Sequence, residues 1–202
     1  MTKVQWKPGT MIYPVPAVMV SCGIEEEDLN IITISWTGTI NSDPAMLYIS
    51  IRPSRKSYEI IKKTGEFVLN LTNKDLAFAA DWSGVKSGRD YNKFKEMGLT
   101  PEASNVIKTP AIAEAPISIE CKLTQIIPLG THDMFLAKVV AVNADEQYID
   151  PETGAFNMQK TKLIAYAHGM YYELGNQIGK FGFSVKKKKP RKRKSKSSRK
   201  LN

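Results

Sequence analysis

The chain is predicted to be mainly β, a β-barrel with short helices inserted between its strands. Three observations lead there. About six segments are rich in β-branched residues, the helical segments between them are short, and the two kinds do not alternate as βαβ units. A length of 202 residues with 42% hydrophobic content suits one well-buried core and is short for two.

In chain order, Ala17–Ile24 and Asn30–Ile40 flank an acidic turn and predict a hairpin. In the second run Ile32, Ile34 and Trp36 share one face, while Thr33, Ser35 and Thr37 line the other with hydroxyls. Asn41-Ser42-Asp43-Pro44 reads as a turn, and Met46–Ile51 as a strand that ends before Pro53. Ser57–Thr64 predicts a short helix with Ser57 as its N-cap and Gly65 closing it. Glu66–Leu71 is a further strand. Asp75–Trp82 and Tyr91–Met97 have helical character, the latter stopped by Gly98, and Ser83–Asp90 between them reads as a surface loop. Pro116–Ile127 and Met134–Val142 are the longest strands, and Leu163–Ala167 and Tyr171–Leu174 complete the body.

The formal charge of +9 is unevenly placed. Residues 186–202 carry eleven Lys or Arg and no acid, which leaves 18 basic against 20 acidic residues before them. The body is therefore nearly neutral, and the basic character belongs to the tail. This divides the chain into a folded body, 1–185, and a polybasic tail, 186–202, whose composition predicts disorder. Such a tail suits contact with nucleic acid or an anionic surface, or serves only as a solvated extension. Cys22 and Cys121 stand far apart in apolar runs, with no CxxC pair or Cys/His ladder, so two reduced core thiols and no metal site are expected. No transmembrane segment and no secretory signal is expected, and the expected localisation is cytoplasmic.

The segment from Asn30 to Tyr58 carries the chemistry. Arg52-Pro53-Ser54-Arg55-Lys56-Ser57 sets two guanidinium groups and two hydroxyls at a strand end and a helix start. A phosphate monoester is well served by that combination, through charge-assisted forks, hydroxyl donors and helix N-terminal amides. An exposed basic turn is the alternative. Thr33, Ser35, Thr37 and the amide of Gly38 could donate to a heteroaromatic ring, although Thr is also simply a good strand former and Trp36 is as readily a core residue.

These pieces resemble the flavin reductase-like, FMN-binding split-barrel family, in particular its flavoredoxin-type branch. The resemblance rests on NIITISWTG at 30–38, the Ser42-Asp43-Pro44 turn, SIRPSRKSYEII at 50–61 and GEFVLNL at 65–71. It continues through Tyr91-Asn92-Lys93-Phe94, GTHDMFLAKVVAV at 130–142 and YAHGMYYELGNQIGKFGFS at 166–184, all in the family's order. It implies a Greek-key split β-barrel that forms a homodimer and holds FMN. On that basis Thr33, Ser35, Trp36, Thr37 and Gly38 line the flavin ring. Ser50, Ile51, Arg52, Ser54, Arg55 and Ser57 form the phosphate side, with Lys93 approaching the ring. His132 is the candidate catalytic residue, near the nicotinamide or the flavin, or else a satisfied loop histidine; His168 reads as structural.

The implied function is an FMN-binding oxidoreductase that passes electrons from NAD(P)H or a redox partner protein to an acceptor. The alternatives are an electron carrier without a small-molecule substrate and a reductase that uses FMN as a dissociable substrate. Ala137-Lys138 stands where the family commonly has Gly-Glu, so direct use of nicotinamide is left open.

Overall fold

Residues 1–185 are described by a computed structural model, and the polybasic tail lies outside the described residues. The elements in chain order are β1 (Val15–Pro16), β2 (Val18–Cys22), β3 (Asn30–Ile34), β4 (Thr37–Ser42), β5 (Ala45–Ile51) and α1 (Lys56–Thr64). They continue with β6 (Glu66–Leu71), α2 (Ala77–Val85), α3 (Lys93–Met97), β7 (Pro101–Glu102) and β8 (Ala111–Ile112). The last four are β9 (Ile117–Pro128), β10 (Asp133–Ala144), β11 (Ile164–Ala167) and β12 (Met170–Glu173).

Seven strands form one antiparallel sheet in the order β3-β2-β6-β9-β10-β5-β4. Its two outermost strands, β3 and β4, follow each other in the chain and are joined only by Ser35 and Trp36. Three residue steps span at most about 11 Å, so the two ends of the sheet must meet there and the sheet curls into a barrel. The single strand expected over Asn30–Ile40 is therefore two. Barrel closure, which no local pattern encodes, breaks the run, and the Ser50 amide donates to the Trp36 carbonyl across the break at 2.9 Å.

Inward side chains of this sheet form the main core. Val18, Val20 and Cys22 from β2 meet Ile32, Ile34, Ile49, Phe67 and Phe135, with Tyr58 and Ile61 of α1 packed among them. Each such large side chain contributes roughly 1.5–3 kcal/mol by leaving water. β2 is buried on both faces, because Met19 and neighbouring Ile31 pack outward against Ala79, Ala80 and Phe94 of the helical layer. Beside the barrel, β1, β11 and β12 make a small three-stranded sheet.

Two further expectations are corrected. Helix α1 begins at Lys56, its N-cap position is Arg55 without a side-chain cap, and Ser57 lies inside the first turn. Helix α2 runs on to Val85, into the predicted surface loop, and Ser83 is fully buried. Gly84 permits this: a Cβ there would stand 3.2 Å from the Thr33 Cβ, so its absence lets the helix press onto β3. The turn at 104–107 is held by Glu120, a fully buried carboxylate that accepts from the Asn105, Val106 and Ile107 amides at 2.7, 2.8 and 3.1 Å and from Asn143 Nδ2 at 2.7 Å. Among the described residues, no helix is long and apolar enough to cross a membrane.

Candidate functional site

The corner where β3 gives way to β4 opens into a cavity of about 340 Å³. Thr33, Ser35 and Trp36 form one wall, Ser50, Ile51 and Arg52 another, and His132, Tyr166 and Tyr171 edge it. Trp36, Tyr13, Tyr166 and Tyr171 make a chain of tilted or edge-on ring contacts with centroids 5.7–6.2 Å apart. The Tyr171 hydroxyl donates to Asp81 Oδ1 at 3.1 Å, and burial together with that carboxylate pushes the phenol up to about 12. Burial first, and then the Arg52 charge, holds the His132 imidazole below its usual 6.5.

A second, smaller cavity of about 90 Å³ adjoins the first, and the two share Ile32, Arg55 and Gly84. Five cations line it: Arg55, Lys56, Lys86, Arg89 and Lys93, with no carboxylate among the lining residues. Residues 55–57 bring the first turn of α1 to this cavity without a side-chain cap, which leaves backbone N–H donors available to an anion. The Arg89 guanidinium donates to the Ser54 carbonyl at 2.9 Å and ties the two loops together across the site.

The floor of this small cavity is unusually charged for its depth. Lys93 is 3% exposed and donates to the Ser83 carbonyl at 2.6 Å. Burial, followed by repulsion from Arg55, lowers its ammonium to about 8. Asn30 Nδ2 donates to the Ser57 hydroxyl at 2.8 Å, but Asn30 Oδ1 and Ser83 Oγ are buried without partners. Unpaired buried polar atoms are costly, and here they sit on the wall of a cationic cavity. Cys22 lies beneath; burial raises its thiol to about 12, against the pull of Ser57, Lys56 and Lys93.

The structure therefore brings Thr33, Ser35, Trp36, Ser50, Ile51, Arg52, Arg55 and His132 to one cavity, and Ser54, Arg55, Ser57 and Lys93 to the other. Lys93 faces the small cavity and is not among the residues lining the larger one. Thr37 and Gly38 line neither: the Thr37 hydroxyl donates to the Tyr48 carbonyl, and Gly38 packs beside the Tyr48 ring. The Thr33 hydroxyl is likewise committed, to the Ala80 carbonyl. Sequence reasoning passed over Asn30, Ser83, Lys86, Ser87 and Arg89, and Tyr166 and Tyr171 at the rim of the larger cavity. The signal was present in Lys86-Ser87-Gly88-Arg89, which repeats the basic and hydroxyl composition of 52–57.

Comparison with known proteins gives a consistent result. The family described as flavin reductase like domain matches residues 10–175. A protein of Pyrococcus abyssi (strain GE5 / Orsay) is 31% identical over 137 residues, covering 68% of this chain and 78% of its own length. The flavoredoxin of Desulfovibrio vulgaris (Miyazaki F) superposes with a TM-score of 0.85 at 27% identity, over 92% of this chain and all of that one. A flavoredoxin from Methanosarcina acetivorans shares the fold, with a TM-score of 0.81 at 22% identity over 92% and 100% of the two chains.

Proposed function

The chain belongs to the flavin reductase-like domain family, and from that premise we propose that it is an FMN-binding oxidoreductase, moving electrons from NAD(P)H or a protein donor to an acceptor. One observation carries the choice of FMN. A cavity large enough for a flat ring is joined at Arg55 to a small cationic cavity whose buried polar atoms lack partners. A ring bearing a single terminal phosphate matches that pair of cavities.

In this reading Arg55, Lys93 and the uncapped amides of α1 hold the phosphate, Ser83 Oγ gains a phosphate acceptor, and Asn30 Oδ1 accepts from a water bound beside it. Trp36, Ser50, His132 and Tyr166 bound the ring. When bound, FMN supplies reversible electron uptake, and the protein supplies binding, electrostatics and access. Arg52, at the ring cavity, offsets negative charge there. His132, held neutral near pH 7 by burial and Arg52, serves as a hydrogen-bond donor or proton carrier at the same place.

The test is flavin retention. Arg55→Ala removes a charge-assisted contact and is expected to weaken FMN binding by about tenfold or more while the barrel stays folded. Undiminished flavin content in that variant would overturn the assignment. Anaerobic titration of the yellow protein with NADH and NADPH identifies the donor. Bleaching by only a reduced protein would make it a carrier, and a colourless protein that turns FMN over would make flavin its substrate.

A further inference from the structure

The ring cavity has another neighbour, which shares no lining residue with the cationic one. It is a chamber of about 530 Å³ that meets the ring cavity at Ser35, Trp36, Ser50 and His132. The order is therefore cationic cavity, ring cavity, chamber. We propose that the chamber binds the electron acceptor, and that this acceptor is a small, uncharged, apolar compound of the quinone class. The proposal rests on the flavin reading above, and it adds the substrate class.

The lining makes the case. Met11, Val15, Trp36, Tyr48, Leu129 and Met134 supply thioether, aliphatic and aromatic surface, and no Asp, Glu, Lys or Arg lines the chamber among the described residues. An acceptor bearing a carboxylate, sulfonate or phosphate would find no charged partner on that lining, whereas an uncharged apolar one is covered by it. The same absence of cations argues that the phosphates of a dinucleotide do not lie here. Thioethers adapt to the faces and edges of planar rings, and Met11 and Met134 provide two of them.

Orientation needs only a few polar groups, and the chamber has them where it meets the ring cavity. Ser50 and His132 belong to both spaces, and Thr131 lines the chamber. Thr131 Oγ1 and His132 Nδ1 are 3.1 Å apart. With the hydroxyl as donor to Nδ1, the neutral imidazole would carry its proton on Nε2 and offer an N–H at the junction to a carbonyl oxygen. Reduction of a quinone at this point balances simply. With FMN held in the ring cavity, its reduced form would supply the hydride (two electrons with one proton) and solvent the second proton, so that both carbonyl oxygens would become hydroxyls, while Ser50 and His132 would orient the receiving carbonyl.

The experiment reads binding without turnover. Flavin-loaded, oxidised protein is titrated with naphthoquinone and with its sulfonate, following the visible flavin band and tryptophan fluorescence. Saturable binding of the neutral compound is expected, with the sulfonate weaker by about tenfold or more. Leu129→Arg, at an exposed position of the chamber wall that lines neither flavin cavity, should weaken naphthoquinone by a similar factor and leave flavin content unchanged. Flavin-loaded protein that ignores naphthoquinone, because a second copy covers the chamber or for any other reason, overturns the proposal alone. So does equal affinity for the sulfonate, or indifference to Leu129→Arg. A protein that retains no flavin overturns the reading beneath it as well.

Discussion

Glu120 and Lys93 are both buried charges, yet their surroundings treat them in opposite ways. The Glu120 carboxylate receives three backbone amides and the Asn143 side chain. Lys93 has the Ser83 carbonyl as its hydrogen-bond partner, with Arg55 and Lys56 raising its electrostatic cost and two unpartnered polar atoms on the same cavity wall. Burial opposes both charges. At Glu120 the donors outweigh it and the carboxyl titrates below the usual 4.5; at Lys93 nothing does, and the ammonium falls to about 8. A satisfied buried charge has finished its work when the chain folds. An unsatisfied one keeps an interaction in reserve for a ligand.

The largest effect should come from Glu120→Ala, which takes the shared acceptor from three backbone amides and the Asn143 side chain, one of those amides, that of Ile107, being buried. A stability loss of about 3 kcal/mol is expected, read as a lower urea midpoint, with flavin retained below the transition. Flavin loss in the folded variant would show that the two clusters are not separate. Next comes Lys93→Met. Flavin affinity should fall by about tenfold, whereas the flavin-free variant should unfold no earlier than wild type, because an ammonium no longer has to be desolvated. An apo variant that melts far below wild type would make Lys93 a structural residue instead.

The smallest effects appear on changing pH, and because both groups are shifted down in the folded chain, stability rises with pH in both windows. The folded Glu120 carboxyl titrates low, so its contribution to stability is present above the ordinary carboxylate range and is lost as pH falls through the depressed value. Lys93 titrates near 8 when folded, against 10.5 ordinarily. Between those values the unfolded chain binds more protons, so flavin-free stability should rise with pH relative to Lys93→Met, while FMN affinity falls. Parallel alkaline unfolding curves for the two proteins would show that Lys93 is not shifted.

Local signals explain what the sequence made legible. Glu66–Leu71 carries a continuous apolar run and is a strand over those residues, and Gly98 does end α3 in a left-handed conformation at φ 62. Residues 54–57 of the basic stretch do line the small cationic cavity, while Arg52 lines the larger one. What escaped depends on partners distant in sequence. Thr33 and Thr37 carry the hydroxyl face expected of a ring-binding strand, but the Ala80 and Tyr48 carbonyls take those hydroxyls. Ser83–Asp90 has loop composition, yet Gly84 and Gly88 serve close approach; a Cβ on Gly88 would fall 2.0 Å from Asn30 Oδ1. Glycine signals a turn and a tight contact with the same letter.

The junction at Ser35–Trp36 has one more consequence. Strands at the margins of a sheet carry unpaired backbone groups that invite other chains to add on. Here both margins of the seven-stranded sheet come from a single peptide, residues 30–42, tethered to each other by two residues. If that peptide lifts away, both margins are exposed together. A ligand lodged at the corner would therefore also guard these margins against edge-to-edge aggregation, and a flavin-free preparation is expected to be the one most prone to precipitate.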